Sequence, residues 1–286
     1  MSSSAPRRYG RPPYDVVVVH GGPGAAGTLA PLARVLGTTR GVLEPWQSAT
    51  SVAAQVRELA RQIDRWGSPP VVMIGHSWGA WLSLLVAGRH PELVHRLVLV
   101  GSGPLRAGSA REIARRRRTR LSESEWADFV ALSRLLAGRG GGDRAAAMRR
   151  LGELSEFADS YDWLPHARVR VQLDPAALRA VGAEAAEMRR SGELERIIRR
   201  VRAPVLVIHG ANDPHPIEGV VEPLRHAGLD VRAVRLARCG HEPWWERHAR
   251  RKFFAVLTRE LRAKTRRPER TRIMAARKSR PGSPHR

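Results

Sequence analysis

Pro70-Val-Val-Met-Ile-Gly-His-Ser-Trp-Gly-Ala-Trp-Leu-Ser-Leu-Leu-Val86 is the stretch whose reading decides the fold. Its first five residues carry no charge, as a strand buried on both faces requires. From Trp78 to Arg89 the sequence is rich in Leu, Ala and Trp, which predicts a helix. Between the two lies Gly75-His-Ser-Trp-Gly79. A chain passing from strand to helix in so few residues folds back too tightly for a Cβ at either end, so glycine suits both ends. Such a turn lifts the Ser77 hydroxyl above the sheet and aims the helix N-terminus at whatever reacts there. A serine between glycines is a weak signal alone, and its place between a buried strand and a helix strengthens it.

Outward from this point, strands and helices alternate. Tyr14-Asp-Val-Val-Val-Val-His20 reads as a buried strand broken by Gly21-Gly-Pro-Gly24. Thr28–Leu36 reads as a helix, and Gly41–Pro45 as a short edge strand whose pairing Pro45 ends. Ser51–Trp66 has apolar residues at helical spacing, with Ser51 as cap and Gly67 as stop. His95–Val100 is the next strand. The pattern then changes. Between Leu105 and about Arg200 no strand is expected. Leu121–Gly138, Arg144–Ala158 and Pro175–Arg190 read as charged amphipathic helices, with a Gly-rich joint at 138–142. Alternation resumes with strand Ala203–His209, helix Val220–Ala227, strand Asp230–Leu236 and helix Trp244–Leu261.

This order predicts an α/β fold: a mostly parallel sheet, helices on both faces and right-handed crossovers. The helical block reads as a cap inserted above the carboxyl edge of the sheet, where such folds place their sites. The expected division is a core of 14–104 and 201–261, a helical cap insertion at 105–200, a flexible arm at 1–13 and a disordered basic tail at 262–286.

The 286 residues suit one such core with an insertion. Lysine and arginine number 50 against 27 acids, a net charge of +23. The excess is mostly arginine spread along the whole chain, so compositional bias accounts for much of it. The basic tail and the Arg115–Arg118 run leave nucleic acid as a lesser alternative, without any accompanying motif. Cys239 is the single cysteine, so no intrachain disulfide can form. The apolar run Val16–Val19 is too short for a signal or a membrane span. Both points predict a cytoplasmic protein with no membrane partner.

A serine hydroxyl is a poor nucleophile until a base takes its proton. His241, in Cys239-Gly-His241 just after the strand ending at Leu236, is the candidate base. Asp213, in Gly210-Ala-Asn-Asp213, follows the strand before it and is the candidate for holding the imidazole in one tautomer. Asn212 carries no charge. The alternative for Asp213 is an ordinary Asx turn. Attack on a carbonyl also develops an oxyanion, which needs fixed N–H donors. The backbone N–H of Trp78 is one candidate, and that of Gly22 in the loop after the first strand is the other. The glycines there lack the spacing of a phosphate-binding loop. Cys239 is assigned no role, being more readily small core filler.

His20-Gly-Gly-Pro-Gly24 and Gly75-His-Ser-Trp-Gly79 together resemble the prolyl aminopeptidase (proline iminopeptidase) branch of the α/β-hydrolases. Tryptophan directly after the nucleophile is characteristic of that branch. The resemblance covers roughly residues 14–104 and 201–260. It implies the α/β-hydrolase fold, the chain order Ser77, Asp213, His241 for the triad, a reaction without metal or other cofactor, and a helical cap. Two features depart from the branch. An Asp-Gln-Arg-Gly-type motif is replaced by Val42-Leu-Glu-Pro-Trp-Gln-Ser48, and the stretch before Tyr14 is too short for the usual leading strands. Peptidases of the branch hold a free α-amino group with cap acids, for which Glu123, Glu125, Asp128, Glu153, Glu156 and Asp159 are candidates. The expected function is therefore a serine hydrolase cleaving a small ester, amide or short-peptide substrate through an acyl-enzyme. An esterase, lactonase or thioesterase is the enzymatic rival, its pocket lined by such residues as Trp46, Trp81, Trp126 and Trp163. A non-catalytic ligand-binding protein on the same scaffold is the remaining class.

Overall fold

The valine-rich strands line up at the centre of the computed structural model, which describes residues 5–23, 25–138, 142–165 and 175–263. They are β1 (Arg7–Tyr9), β2 (Val16–Val19), β3 (Val42–Glu44), β4 (Val71–His76), β5 (Val94–Val100), β6 (Val205–Gly210) and β7 (Val231–Leu236). Their order across the sheet is β1-β3-β2-β4-β5-β6-β7. Every neighbouring pair is parallel except β1 with β3. All residues of β2, β4 and β6 are buried, which is why these segments read as unbroken apolar runs.

Helices α1 (Ala30–Gly37) and α10 (Arg250–Arg262) cover one face, where Leu32 and Phe253 meet Val16, Val18 and Ile74. Helices α2 (Val52–Trp66), α3 (Trp78–Arg89) and α9 (Glu218–His226) cover the other, where Leu59, Leu85 and Leu224 belong to one cluster with Val17 and Met73. Each Leu or Phe so buried contributes about 1.5–3 kcal/mol. Ser51 caps α2 as expected, its hydroxyl accepting the Ala54 N–H. Between β5 and β6 come α4 (Ala110–Arg118), α5 (Glu123–Ala137), α6 (Arg144–Asp159), α7 (Pro175–Arg190) and α8 (Glu193–Ile198). Helices α7 and α8 bury Val181, Met188, Leu194 and Ile197 in the cluster under α2 and α3, whereas the part from Leu121 to Ala158 has only a small apolar cluster of its own: Leu121, Leu154 and Ala158, packed by Trp126, Phe129 and Leu132. No helix among the described residues is long and apolar enough to cross a membrane.

Three expectations need correction. The 1–13 arm is not loose over residues 7–9. They form β1, and the Tyr9 hydroxyl donates to Glu44 of β3 at 2.7 Å. One antiparallel leading strand is therefore present. The 41–45 strand is for the same reason an interior strand and not an edge, fully buried between β1 and β2. The last helix begins at Arg250 and not at Trp244, because the backbone around Glu246 is paired with another segment: Leu164 N–H donates to Trp245 O and Arg247 N–H donates to Asp162 O. The Arg115–Arg118 run ends a helix, α4, in which Glu112 pairs with Arg115 and Arg116. Residues 1–4 of the expected arm, 139–141 of the glycine joint, and 264–286 of the expected basic tail lie outside the described residues.

Candidate active site

Ser77 is the one residue between β4 and α3, and its backbone lies at φ 52°, ψ −115°. Holding a serine in that region costs on the order of 1–3 kcal/mol and persists only where neighbours enforce it. They do so here. Ser77 N–H donates to Val100 O at 3.0 Å, and Ala80 N–H donates to Ser77 O at 3.1 Å. A Cβ on Gly79 would stand 2.1 Å from Val19 O, and one on Gly75 would stand 2.3 Å from Gly79 O. The turn thus tolerates no side chain at either glycine. A Cβ on Gly21 would lie 3.1 Å from the Ser77 Cβ, so the loop after β2 rests against the serine. Gly22 follows at φ 48°, its carbonyl accepting from Ala25 N–H at 3.0 Å. Gly24 lies outside the described residues. On the other flank, the Trp78 indole N–H donates to Gln55 at 2.9 Å and fixes the residue after Ser77. Gln55 was not legible in the sequence, being one of three buried polar residues, with Glu58 and Gln62, on the inner face of α2.

Asp213 and His241 come together from the loops after β6 and β7. A Cβ on Gly210 would stand 2.1 Å from Gly240 O, which measures how closely these loops pack. His241 Nδ1 donates to Asp213 Oδ2 at 2.8 Å. His241 N–H donates to Asp159 O at 2.8 Å, and its carbonyl accepts from His76 Nε2 at 3.2 Å. His76 precedes Ser77, and its ring centroid is 4.6 Å from that of His241. Among the described residues the hydrogen bonds of His241 run to Asp213, Asp159 and His76, and none runs to Ser77. Bonds between a nucleophile and its base are often long until a substrate arrives.

Burial alone would raise the Asp213 carboxyl, but His241, His209 and His215 around it hold it well below the usual range. Burial alone would lower His241, yet the Asp213 carboxylate outweighs it and lifts the imidazole to about 9. His76 is pushed well below its ordinary value by burial and by His241, and so stays neutral. Glu242 is raised to about 7 by burial, against the pull of His241 and with the push of Glu156 and Asp159.

Two members of the site are absent from the sequence reading. His215 donates both its backbone N–H (2.9 Å) and its Nδ1 (2.8 Å) to Asp213 Oδ1, and its ring centroid is 4.8 Å from that of His241. The Asp-x-His spacing was the available signal, hidden among eleven histidines. Asp213, His215 and His241 offer ligand atoms within 4.8 Å of one another. An ionised carboxylate only accepts, so both Nδ1 atoms must carry protons toward it, which suits hydrogen bonding and not metal ligation. Glu246, fully buried, pins Gly240 and hence the His241 loop.

The candidate cap acids are mostly engaged elsewhere. Asp159 forms a bidentate pair with Arg117 at 2.7 Å, Glu125 closes the α5 capping box, and Asp128 and Glu153 face Arg150. Of the four tryptophans, Trp46 stacks under Arg7, Trp126 on Phe129, and Trp163 bridges to Glu246. Trp81 lies 6.0 Å from Trp78 between ring centroids. One cavity, about 960 Å³, opens beside Gly10, Arg40 and Phe254 and contains none of the expected site residues. A second, about 540 Å³, opens between α4, α5 and α7 and reaches His215.

Comparison with known proteins bears on the fold. The family described as alpha/beta hydrolase fold matches residues 22–248. The chain is 30% identical over 179 residues to the pimeloyl-[acyl-carrier protein] methyl ester esterase of Aromatoleum aromaticum, covering 60% of this chain and 67% of that protein. It is 38% identical over 56 residues to lipase LipV of Mycobacterium tuberculosis, 20% of this chain, and so spans only 22% of that relative's length. The crystal structure of proline iminopeptidase from Mycobacterium smegmatis superposes with a TM-score of 0.57 at 19% identity, covering 91% of this chain and 96% of that one, a likeness of fold.

Proposed function

Since this chain belongs to the alpha/beta hydrolase fold family, we propose that it is a serine hydrolase with Ser77 as nucleophile, His241 as general base and Asp213 as the acid that orients it. The observation that carries this reading is the backbone of Ser77. A turn without a reacting group there would relieve its strain with glycine, whereas a serine held at φ 52° exposes its hydroxyl to a base. The 2.8 Å bond from His241 to Asp213 supports the base assignment. His241 takes the Ser77 proton as the oxygen attacks a carbonyl carbon. The N–H groups of Trp78 and Gly22 are the proposed donors to the oxyanion. His241 then returns the proton to the leaving group, and water repeats the two steps on the acyl-enzyme. No metal or cofactor enters. Residues 14–104 and 201–261 act as the catalytic core and 105–200 as a cap, in a cytoplasmic enzyme acting on a small molecule.

Among substrates, a carboxylic ester is favoured over an aminoacyl amide. The curated relatives are an esterase and a lipase, and four of the six candidate cap acids are paired with arginines or engaged in a capping box. The peptidase branch keeps Glu242, beside the base, with Glu156 acting on it.

The test is labelling by a fluorophosphonate probe. Wild type should label, and Ser77→Ala and His241→Ala should not. A folded wild type that stays unlabelled would move the protein to the ligand-binding class.

A further inference from the structure

The 540 Å³ cavity that reaches His215 is lined by four arginines, Arg106, Arg117, Arg189 and Arg190, and by no acidic residue among those described. Two of them are neutralised nearby. Arg117 is clamped on Asp159, and Arg190 is paired with Glu187 one turn back on α7. Arg106 and Arg189 have no acidic partner among the described residues. Arg106 is exposed at the rim. Arg189 is half-buried and sits over the face of Trp81, its guanidinium carbon 5.2 Å from the ring centroid. Burial lowers its pKa with nothing opposing, the mark of a cation desolvated without an anion. Trp81 is fixed in turn by its N–H bond to Gly103 at 3.0 Å, and its ring neighbours Trp78, the residue after Ser77.

A half-buried guanidinium without a counter-charge is costly unless something supplies one. An aromatic face offsets part of that cost but cannot meet the in-plane N–H donors, which are shaped for a carboxylate. The cavity is also roomy enough for a short acyl chain or a small ring. It reaches the proposed site at His215, whose ring neighbours that of His241, and its Arg189 packs on Trp81, the ring neighbour of Trp78.

We infer that this cavity is a subsite for an anionic group, so that the substrate is a small ester bearing a carboxylate, bound through Arg189 with Arg106 at the entrance. The inference rests on the serine hydrolase reading and names its substrate class. It runs opposite to an aminopeptidase, whose substrate presents a cation.

Two matched pairs of esters test it. Mono-4-nitrophenyl glutarate against 4-nitrophenyl pentanoate places the charge on the acyl side, and 4-carboxyphenyl acetate against phenyl acetate places it on the leaving group. Wild type should favour the charged member of one pair by about tenfold or more in kcat/KM, and that pair assigns the side. Arg189→Gln should cut the ratio by about the same factor, Arg189→Lys should keep part of it, and Arg179→Gln, exposed on the same helix, should keep all of it. No preference in either pair, or a ratio unmoved by Arg189→Gln, overturns the inference while the hydrolase stands. Failure of the hydrolase reading shows instead as no turnover of any ester and no fluorophosphonate labelling. The subsite is then decided by calorimetry with glutarate, where binding weakened by Arg189→Gln supports it and binding unchanged or absent overturns it.

Discussion

The sheet and the helical segment between β5 and β6 are built on different physics. In the sheet, Val16–Val19, Met73, Ile74 and Leu97–Val100 have no exposed surface, and glycines allow backbones to touch. In the helical segment α7 and α8 share the core of the sheet through Val181, Met188, Leu194 and Ile197, whereas over α4–α6 the apolar cluster is three residues and a few ring contacts, and charge does the joining. Arg117 grips Asp159, Glu112 takes Arg115 and Arg116, and Arg150 faces Asp128 and Glu153. Close packing fixes atoms to a few tenths of an ångström, whereas surface ion pairs hold long, adaptable side chains loosely. Reacting groups belong on the first kind of frame and selectivity on the second. The proposed triad sits on sheet loops and the arginine-lined cavity sits among the helices, as that division requires.

The largest effect expected from this contrast is on folding. Gly79→Val sets a side chain against Val19 O and His20 O, so β2 and α3 must part. A loss of about 4 kcal/mol or more is expected, seen as insoluble protein or an early thermal transition. Gly152→Ala on α6 meets nothing within 4 Å and should stabilise by up to about 1 kcal/mol. Equal tolerance at both positions in a melting assay would erase the distinction between the regions.

Next comes the chemistry of the sheet loops. Asp213→Asn keeps the shape of the site and removes the charge that fixes the His241 tautomer. A fall of about 10⁴ in kcat is expected from the serine protease precedent, measured on any ester the wild type turns over. The pH profile sharpens this. The base works only as neutral imidazole, so wild-type kcat/KM should climb with pH toward about 9, and in the variant the limb should move to lower pH. Stability should run the other way. A histidine raised from 6.5 to about 9 contributes fully below 6.5, and that contribution is lost as pH rises through about 9. Asp213, held low, contributes above its ordinary 3.8 and loses its contribution only in strong acid. Between pH 6.5 and 9, activity should rise while the melting temperature falls. A parallel rise of both would remove His241 as the titrating group.

A smaller effect lies where the two regions meet. His241 N–H is held by the carbonyl of Asp159, whose carboxylate is held by Arg117. Arg117→Met frees that carboxylate and loosens the residue that positions the base loop. Ester turnover should drop by up to about a hundredfold while fluorophosphonate labelling, which needs less exact placement, slows less. An unchanged turnover would mean that Glu246, which holds Gly240 independently, suffices alone.

How much of this was legible in the sequence follows the same line. β2, β4, β5 and β6, the elbow and the Asp213 and His241 loops were readable, because double burial leaves unbroken apolar runs and tight turns leave glycines. β1 was not, since Arg7-Arg-Tyr9 carries no apolar pattern and is recognisable as a strand only by its ladder with Val42–Glu44. The start of α10 is not legible because what delays it is the pairing of the Trp245 and Arg247 backbone with residues more than eighty positions away. His215 and Gln55 act through contacts with no periodic signature. Arg189 could not be singled out among so many arginines, because what distinguishes it is the absence of a partner, and partners are set by tertiary placement.

The smallest effect probes whether the two regions melt as one. The Ser122 hydroxyl accepts the Glu125 N–H at 3.3 Å, and the Glu125 carboxylate accepts the Ser122 N–H at 2.9 Å, closing the first turn of α5. Ser122→Ala removes half of that box, worth about 1 kcal/mol. Were the helices bound to the sheet as firmly as its strands are to each other, the loss would spread over the whole molecule and lower protection everywhere alike. A segment held by ion pairs opens by itself, so the loss should stay local. Hydrogen exchange should therefore quicken about fivefold at α5 amides, with β4 amides and the labelling of Ser77 unmoved. Exchange quickening equally in α5 and β4 would show one cooperative unit, and the cap would then be part of the frame that holds the reacting groups.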